Sequence, residues 1–261
     1  METDPRRWIS ALRTSHDALV TLVAALSPEQ LTAPSYCGDW DVAQVLAHIG
    51  SGAEIALLQL ERALARSPQL DRADFTVIWD RWSAYAPDDK ANEMSVWDRR
   101  YVSVLEGLDD ETLASLRMSL FGMEFDAVGV VGIRLGEHAV HSWDVAVAFD
   151  AGAQVLPTSV ELLVDRLPFI AGRVGRPEGA KTKGQIEVRT ARPERRLLLS
   201  IANNVALTED VEGQPDGVLD LPAEAFLRLV HGRLDAGHTP PRTHAEGIAD
   251  LDELRQVFPG I

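Results

Sequence analysis

Helical periodicity dominates the first half of this chain. Following Asp41, apolar residues fall at Val42, Val45, Leu46 and Ile49, the i, i+3, i+4, i+7 pattern of a helix with one buried face. Asp41, with Gln44 three residues on, makes a variant capping box that fixes the helix start. His48 lies on the edge of the apolar stripe, and Gly50, Gly52 and Ala53 leave room for a neighbouring helix. The same periodicity predicts helices over 5–26, 90–108 and 127–149, and the helix that starts at Asp41 can extend to residue 65. Ser27-Pro28-Glu29-Gln30 reads as a cap with proline at the first helical position. A polar connection over 67–74 leads into an aromatic stretch with Phe75, Trp79, Trp82 and Tyr85. Four helices joined by loops suggest a bundle with polar groups projecting inward at one level.

The pattern changes after Asp150-Ala151-Gly152. One more helix is expected over 156–174, interrupted at Pro168. Gln185-Ile186-Glu187-Val188-Arg189 then alternates like a half-buried strand, with one or two further strands over 196–207 and another within 211–219. Helices return over 221–234 and 250–258. The expected fold class is therefore a helix bundle over 1–150 followed by a smaller C-terminal α+β domain over 151–261.

Composition narrows the functional classes. The formal charge of −15 repels nucleic acid and anionic membranes, so neither is an expected partner. No apolar run approaches the roughly 18 residues of a membrane span, and Met1-Glu2-Thr3-Asp4 lacks the basic and apolar regions of a signal peptide. The expected location is the cytoplasm. One cysteine, Cys37, excludes an internal disulfide and a zinc cluster built on cysteines, and it reads as a small apolar filler. The tryptophans at 40, 79, 82, 97 and 143 read mostly as core, with one or two expected to line the pocket.

The chemistry gathers on two of the helices. Glu137 and His141 lie four apart on one face, and His48 on a facing helix would complete a two-histidine, one-carboxylate set. Such a set leaves coordination positions free for water or substrate, as catalytic metal sites do. A half-buried glutamate also needs a compensating charge, which a cation supplies. His138 competes, since His138 and His141 form a His-x-x-His pair; it cannot readily join Glu137, because neighbouring residues diverge by about 100° around a helix. The His-Glu-x-x-His pattern of metalloproteases is absent. Asp144, three residues after His141, could orient that imidazole.

Two stretches carry a resemblance. The run from Cys37 to Ile49, with Trp40, Val42 and His48, resembles the first signature of the DinB-like metal-dependent superfamily. Glu137-His138-Ala139-Val140-His141-Ser142-Trp143-Asp144 resembles the second signature of its mycothiol-dependent maleylpyruvate isomerase branch. That resemblance implies a DinB-like four-helix bundle with a C-terminal α+β domain closing the active-site cleft. It implies that His48, Glu137 and His141 ligate a divalent metal, with Zn²⁺ the expected ion. It also implies a substrate-side arginine, for which Arg233 in Leu229-Val230-His231-Gly232-Arg233-Leu234 is the best match. The cosubstrate would be mycothiol, a low-molecular-weight thiol held as thiolate by the metal. Attack on a small electrophile would give S-transfer if the adduct stays, or cis–trans isomerisation if it rotates and expels the thiol. The expected partners are these small molecules, and the expected state is a monomer or homodimer. Two alternatives stay open: a metal-dependent hydrolase using metal-bound hydroxide, and a non-catalytic binding or regulatory protein on the same fold.

Overall fold

The computed structural model describes residues 2–120, 122–210 and 213–260, arranged as two compact units, Glu2–Ala153 and a second beginning at Gln154. The first unit is helical. α1 (Pro5–Ala24) starts at Asp4, whose side chain accepts from the Arg6 amide, and α2 (Pro28–Leu31) starts at a full capping box between Ser27 and Gln30. α3 (Val42–Leu64) opens on the reciprocal Asp41/Gln44 box. α4 (Arg72–Ser83) and α5 (Pro87–Gly107) follow, then the short α6 (Asp110–Ser115). A hairpin of β1 (Met118–Leu120) and β2 (Met123–Phe125) leads into α7 (Ala127–Ala146).

The four long helices pack in a ring: α1 lies against α5 and α7, and α3 against the same two. Each gives its apolar stripe to one interior, with Trp8, Leu12, Val45, Leu46, Ile49, Met94, Val102 and Leu135 all at 0% exposure. The aromatic stretch around Trp79 is a helix, α4, capped by Asp71 and packed on α3. Its tryptophans divide by face. Trp82 is core, whereas Trp79 is 45% exposed; Trp40, in the loop before α3, is 38% exposed, so these two are the exceptions to a mostly core set. Trp97 is half-buried, with Arg100 stacked 4.5 Å from its ring centroid.

The second unit is α+β. α8 (Pro157–Leu163) and α9 (Leu167–Val174) are separated by one 3₁₀ turn, and Pro168 sits in the first turn of α9, where a missing N–H costs nothing. β3 (Gly184–Ala191), β4 (Arg195–Ile201), β5 (Val205–Thr208), β6 (Gly217–Pro222) and β7 (His244–Gly247) form one sheet in the order β5-β4-β3-β6-β7. Only β3 and β6 pair in parallel. α10 (Ala223–Val230) is buried along its length beneath β3 and β6, and α11 (Leu251–Val257) follows β7. The strand expected within 211–219 begins at Gly217; Val211 lies outside the described residues.

Candidate metal centre

His48 projects from the second turn of α3, and Glu137 and His141 from adjacent turns of α7. The packing of α3 on α7 brings the three together, with one ligand-capable atom of each within 4.8 Å of the others. His48 Nε2 lies 3.1 Å from Glu137 Oε2, and His141 Nε2 lies 3.7 Å from the same oxygen. The two imidazoles meet edge to face, 4.5 Å between centroids. His141 is positioned from behind: its Nδ1–H donates to Asp144 Oδ2 at 2.9 Å, and the Asp144 side chain is fully buried. This bond fixes the tautomer and turns Nε2 toward Glu137, the arrangement that supports metal-binding histidines.

Glu137 keeps a half-exposed carboxylate although protein atoms crowd its stem. Burial pushes its acidity toward higher pH, but the hydrogen bond from His48 and the charges of His141, His48 and Arg134 outweigh it and bring the pKa down to about 2. The donor set fits a divalent cation. Two imidazole nitrogens and one carboxylate oxygen converge, and the exposed sides of His48 and Glu137 leave an approach from solvent.

His138 belongs to a different cluster. It points into the helical interior at 0% exposure, where Nε2 lies 3.0 Å from Asp98 Oδ2 and Nδ1 meets the hydroxyls of Ser15 (2.8 Å) and Ser142 (3.2 Å). Asp98 also binds His16 Nδ1 at 2.7 Å and Arg134 Nη2 at 2.7 Å. Burial raises the Asp98 carboxyl, but the charges and hydrogen bonds of His138, Arg134 and His16 hold it well below the usual carboxylate range. Arg134 Nη2 donates as well to the carbonyl of Ile49, the residue after His48. Arg134 therefore ties α7 to α5 through its ion pair and to α3 through this hydrogen bond, beside the candidate ligands.

Sequence reasoning missed three features of the region. Asp98 gave no signal, since a charged residue in a long helix reads as solvent-facing. Cys37 is half-buried, and a ligand-capable atom set of Cys37, His141 and Asp144 also lies within 4.8 Å. The loop bearing Cys37 is laid on the end of α7 by the Tyr36 amide, which donates to the Asp144 carbonyl at 3.1 Å, and by the Tyr36 ring against Trp143. The third feature is a cavity of about 360 Å³ beside His48, walled by Trp40, Trp79 and Trp82 with Gln44, Ser83 and Lys90.

Comparison with known proteins identifies the family. The profile of the mycothiol maleylpyruvate isomerase N-terminal domain matches residues 12–146, about half of the chain. The chain belongs to this family. The matched span of the family domain runs from α1 to the end of α7 and contains all three candidate ligands. Two solved structures share the fold: the mycothiol-dependent maleylpyruvate isomerase (TM-score 0.68, 13% identity) and its histidine-to-alanine variant (TM-score 0.67, 12% identity). Each superposition covers 94% of this chain and 93% of the other. A protein of Geobacillus thermodenitrificans (strain NG80-2), provisionally named a metal-dependent hydrolase, is 41% identical over 61 residues. That match covers 23% of this chain and 34% of the relative, so the chain spans about a third of the relative's length.

Arg233, singled out in the sequence by its Gly-Arg context, lies in the other unit. Its side chain is 8% exposed and Nη1 donates to the His231 carbonyl at 2.7 Å. The preceding Gly232 has φ +72° and sits where a Cβ would meet the Gly260 amide nitrogen at 2.3 Å, so glycine is required there on both counts.

Proposed function

We propose that this protein is a metal-dependent enzyme that uses mycothiol as a thiol cosubstrate and adds it to a small electrophile. The observation that carries this reading is the convergence of His48, Glu137 and His141, with Asp144 behind His141, in the helical unit of a family named for mycothiol chemistry. The three side chains would hold a divalent cation, and their donor set suits Zn²⁺. Such a cation stabilises a thiolate at neutral pH and so supplies a strong nucleophile.

The chain's own residues perform the positioning. Asp144 fixes which nitrogen of His141 faces the site, Glu137 contributes a negative charge that stays ionised across the working range, and the Arg134 bridge to Ile49 holds the two ligand-bearing helices in register. Sulfur bonds to an electrophilic carbon of the substrate. If that bond persists the product is an S-conjugate. If the adduct rotates about its new single bond and the thiol leaves, the product is the trans isomer and the thiol is regenerated. We assign Arg233 to a substrate carboxylate on its Gly-Arg context; its burial and its bond to His231 make the brace for the surrounding turn the competing role.

A second reading has one observation in its favour, the short stretch shared with the protein named as a metal-dependent hydrolase. There the same side chains would serve with water in place of the thiol. Assays of the metal-loaded protein on maleylpyruvate and on a panel of electrophiles and esters, with and without mycothiol, separate the two. Turnover requiring both metal and mycothiol is expected, and ester hydrolysis without thiol would overturn the thiol reading. Because the nucleophile is borrowed, Cys37→Ser should retain turnover within about twofold despite the proximity of Cys37 to His141. Loss of turnover with metal content intact would move the nucleophile onto the protein.

A further inference from the structure

Asp98 is a fully buried carboxylate on α5, a helix that supplies none of the candidate ligands. Burying such a group is costly unless it is paired and hydrogen-bonded, and groups from two other helices meet it. Oδ2 lies 2.7 Å from His16 Nδ1 of α1 and 3.0 Å from His138 Nε2 of α7, and Oδ1 accepts from Arg134 Nη2 of α7 at 2.7 Å. The same Arg134 nitrogen gives its second hydrogen to the Ile49 carbonyl of α3 at 2.8 Å. The guanidinium also lies close to Gly52, where a Cβ would stand 3.0 Å from Nη1. One carboxylate thus links all four long helices. Its path through Arg134 ends on the residue after His48, and Arg134 itself stands three residues before Glu137. The atoms of His16, Asp98 and His138 converge as ligands could, but Arg134 already neutralises the carboxylate, so a dication there would add buried charge without a counterion.

We propose that Asp98 is a positioning residue for the candidate metal centre: it aims the Arg134 guanidinium at α3 and so fixes the separation of His48 from Glu137 and His141. Apolar packing is non-directional, so it holds α3 against α7 without setting their register. Hydrogen bonds from one planar guanidinium to a carboxylate and a carbonyl are directional and do set it. Metal–ligand bonds of about 2.0–2.2 Å tolerate little error in that register. His16 and His138 brace Asp98; among the described residues, the hydrogen bond that carries the cluster to α3 is that of Arg134. The inference rests on the metal centre proposed above and adds what sets its geometry.

Competition against a chromophoric chelator measures the Zn²⁺ affinity of the full chain, with urea unfolding of the metal-free form measured beside it. Asp98→Asn, nearly isosteric, should weaken Zn²⁺ binding by about tenfold or more. His16→Ala removes a brace of Asp98 and spares the Arg134 tie, so it should lower the unfolding midpoint while keeping Zn²⁺ affinity within about twofold. Where Asp98→Asn does not fold, the double change Asp98→Leu with Arg134→Met removes both charges together, a replacement that buried ion pairs tolerate. That protein should fold and still bind Zn²⁺ about tenfold more weakly. The proposal is overturned if folded Asp98→Asn or the double variant stays within about twofold of wild type. It is equally overturned if His16→Ala loses as much affinity as Asp98→Asn, since affinity then follows the stability of the bundle. A wild type that binds no Zn²⁺ removes the metal centre and this inference with it, whereas a wild type that binds Zn²⁺ beside unaffected variants removes the inference alone.

Discussion

His48 and His138 have the same side chain and opposite surroundings, and this contrast yields the sharpest test at the residue scale. His48 is 38% exposed and faces Glu137; His138 is fully buried and satisfies Asp98, Ser15 and Ser142. His48→Ala should remove most of the bound metal, read by elemental analysis, while thermal stability of the metal-free form changes by less than about 1 kcal/mol, as for an exposed substitution. His138→Ala should keep the metal and lose about 1–3 kcal/mol of stability, since Asp98 and Ser15 are left buried with unmade hydrogen bonds. The opposite pattern would transfer the site to the buried cluster. The shared face of Glu137 and His141 was legible because a four-residue spacing fixes a helix face whatever the fold, whereas His48, on another helix, was joined to them by the resemblance. The sequence left His138 open as a competing ligand, and only the structure turns it inward. Asp98 and Cys37 were not legible: one depends on three groups from two other helices, the other on a loop whose course is set by the end of α7.

At the level of elements, close approach explains why α3, α4 and α5 meet as they do. A Cβ on Gly50 would lie 2.2 Å from Trp82 Cη2 and 2.9 Å from the backbone of Met94, so α3 must carry glycine where the indole of α4 crosses it. Gly50→Ala should cost about 1–3 kcal/mol by overpacking, measured in denaturant unfolding, and an unchanged midpoint would show that α4 can shift. In the sheet, Arg189 and Arg196 are cross-strand neighbours of like charge, and Glu187 on the same face of β3 pairs with both. Hydrogen bonds from Arg189 and Arg196 outweigh burial and depress the Glu187 pKa from 4.5 to about 2. Its stabilising contribution is thus present above pH 4.5 and is lost as pH falls through 2. Glu187→Gln should melt lower than wild type at pH 7, with the difference shrinking over that acidic window; a constant offset would argue against the ion pairs. The capped, strongly periodic helices were readable in advance because their caps and apolar stripes are local. α4 was not, since its aromatics serve two faces, and the hairpin and β7, at three and four residues per strand, are too short to display an alternation.

For the whole molecule, the two units raise the question of what each contributes. The family match and all three candidate ligands lie in the helical unit, so the proposed metal centre draws no ligand from the second. A chain with net charge −15 nevertheless repels an acidic electrophile at long range, and Glu137 adds a negative charge at the site itself. Turnover of a carboxylate substrate therefore calls for a local cation, and the proposed one is Arg233. Its planar guanidinium can hold a carboxylate in a two-point fork that lysine cannot reproduce. Losing a charge-assisted contact of this kind costs roughly 1.5–3 kcal/mol, or about ten- to a hundredfold in kcat/KM. Arg233→Lys should show that loss on an acidic substrate with metal content unchanged. A purely bracing role for Arg233 predicts a different signature, a lowered melting temperature in Arg233→Ala with wild-type kcat/KM below it. That outcome would remove Arg233 from catalysis and leave it a buried brace of the turn it shares with His231.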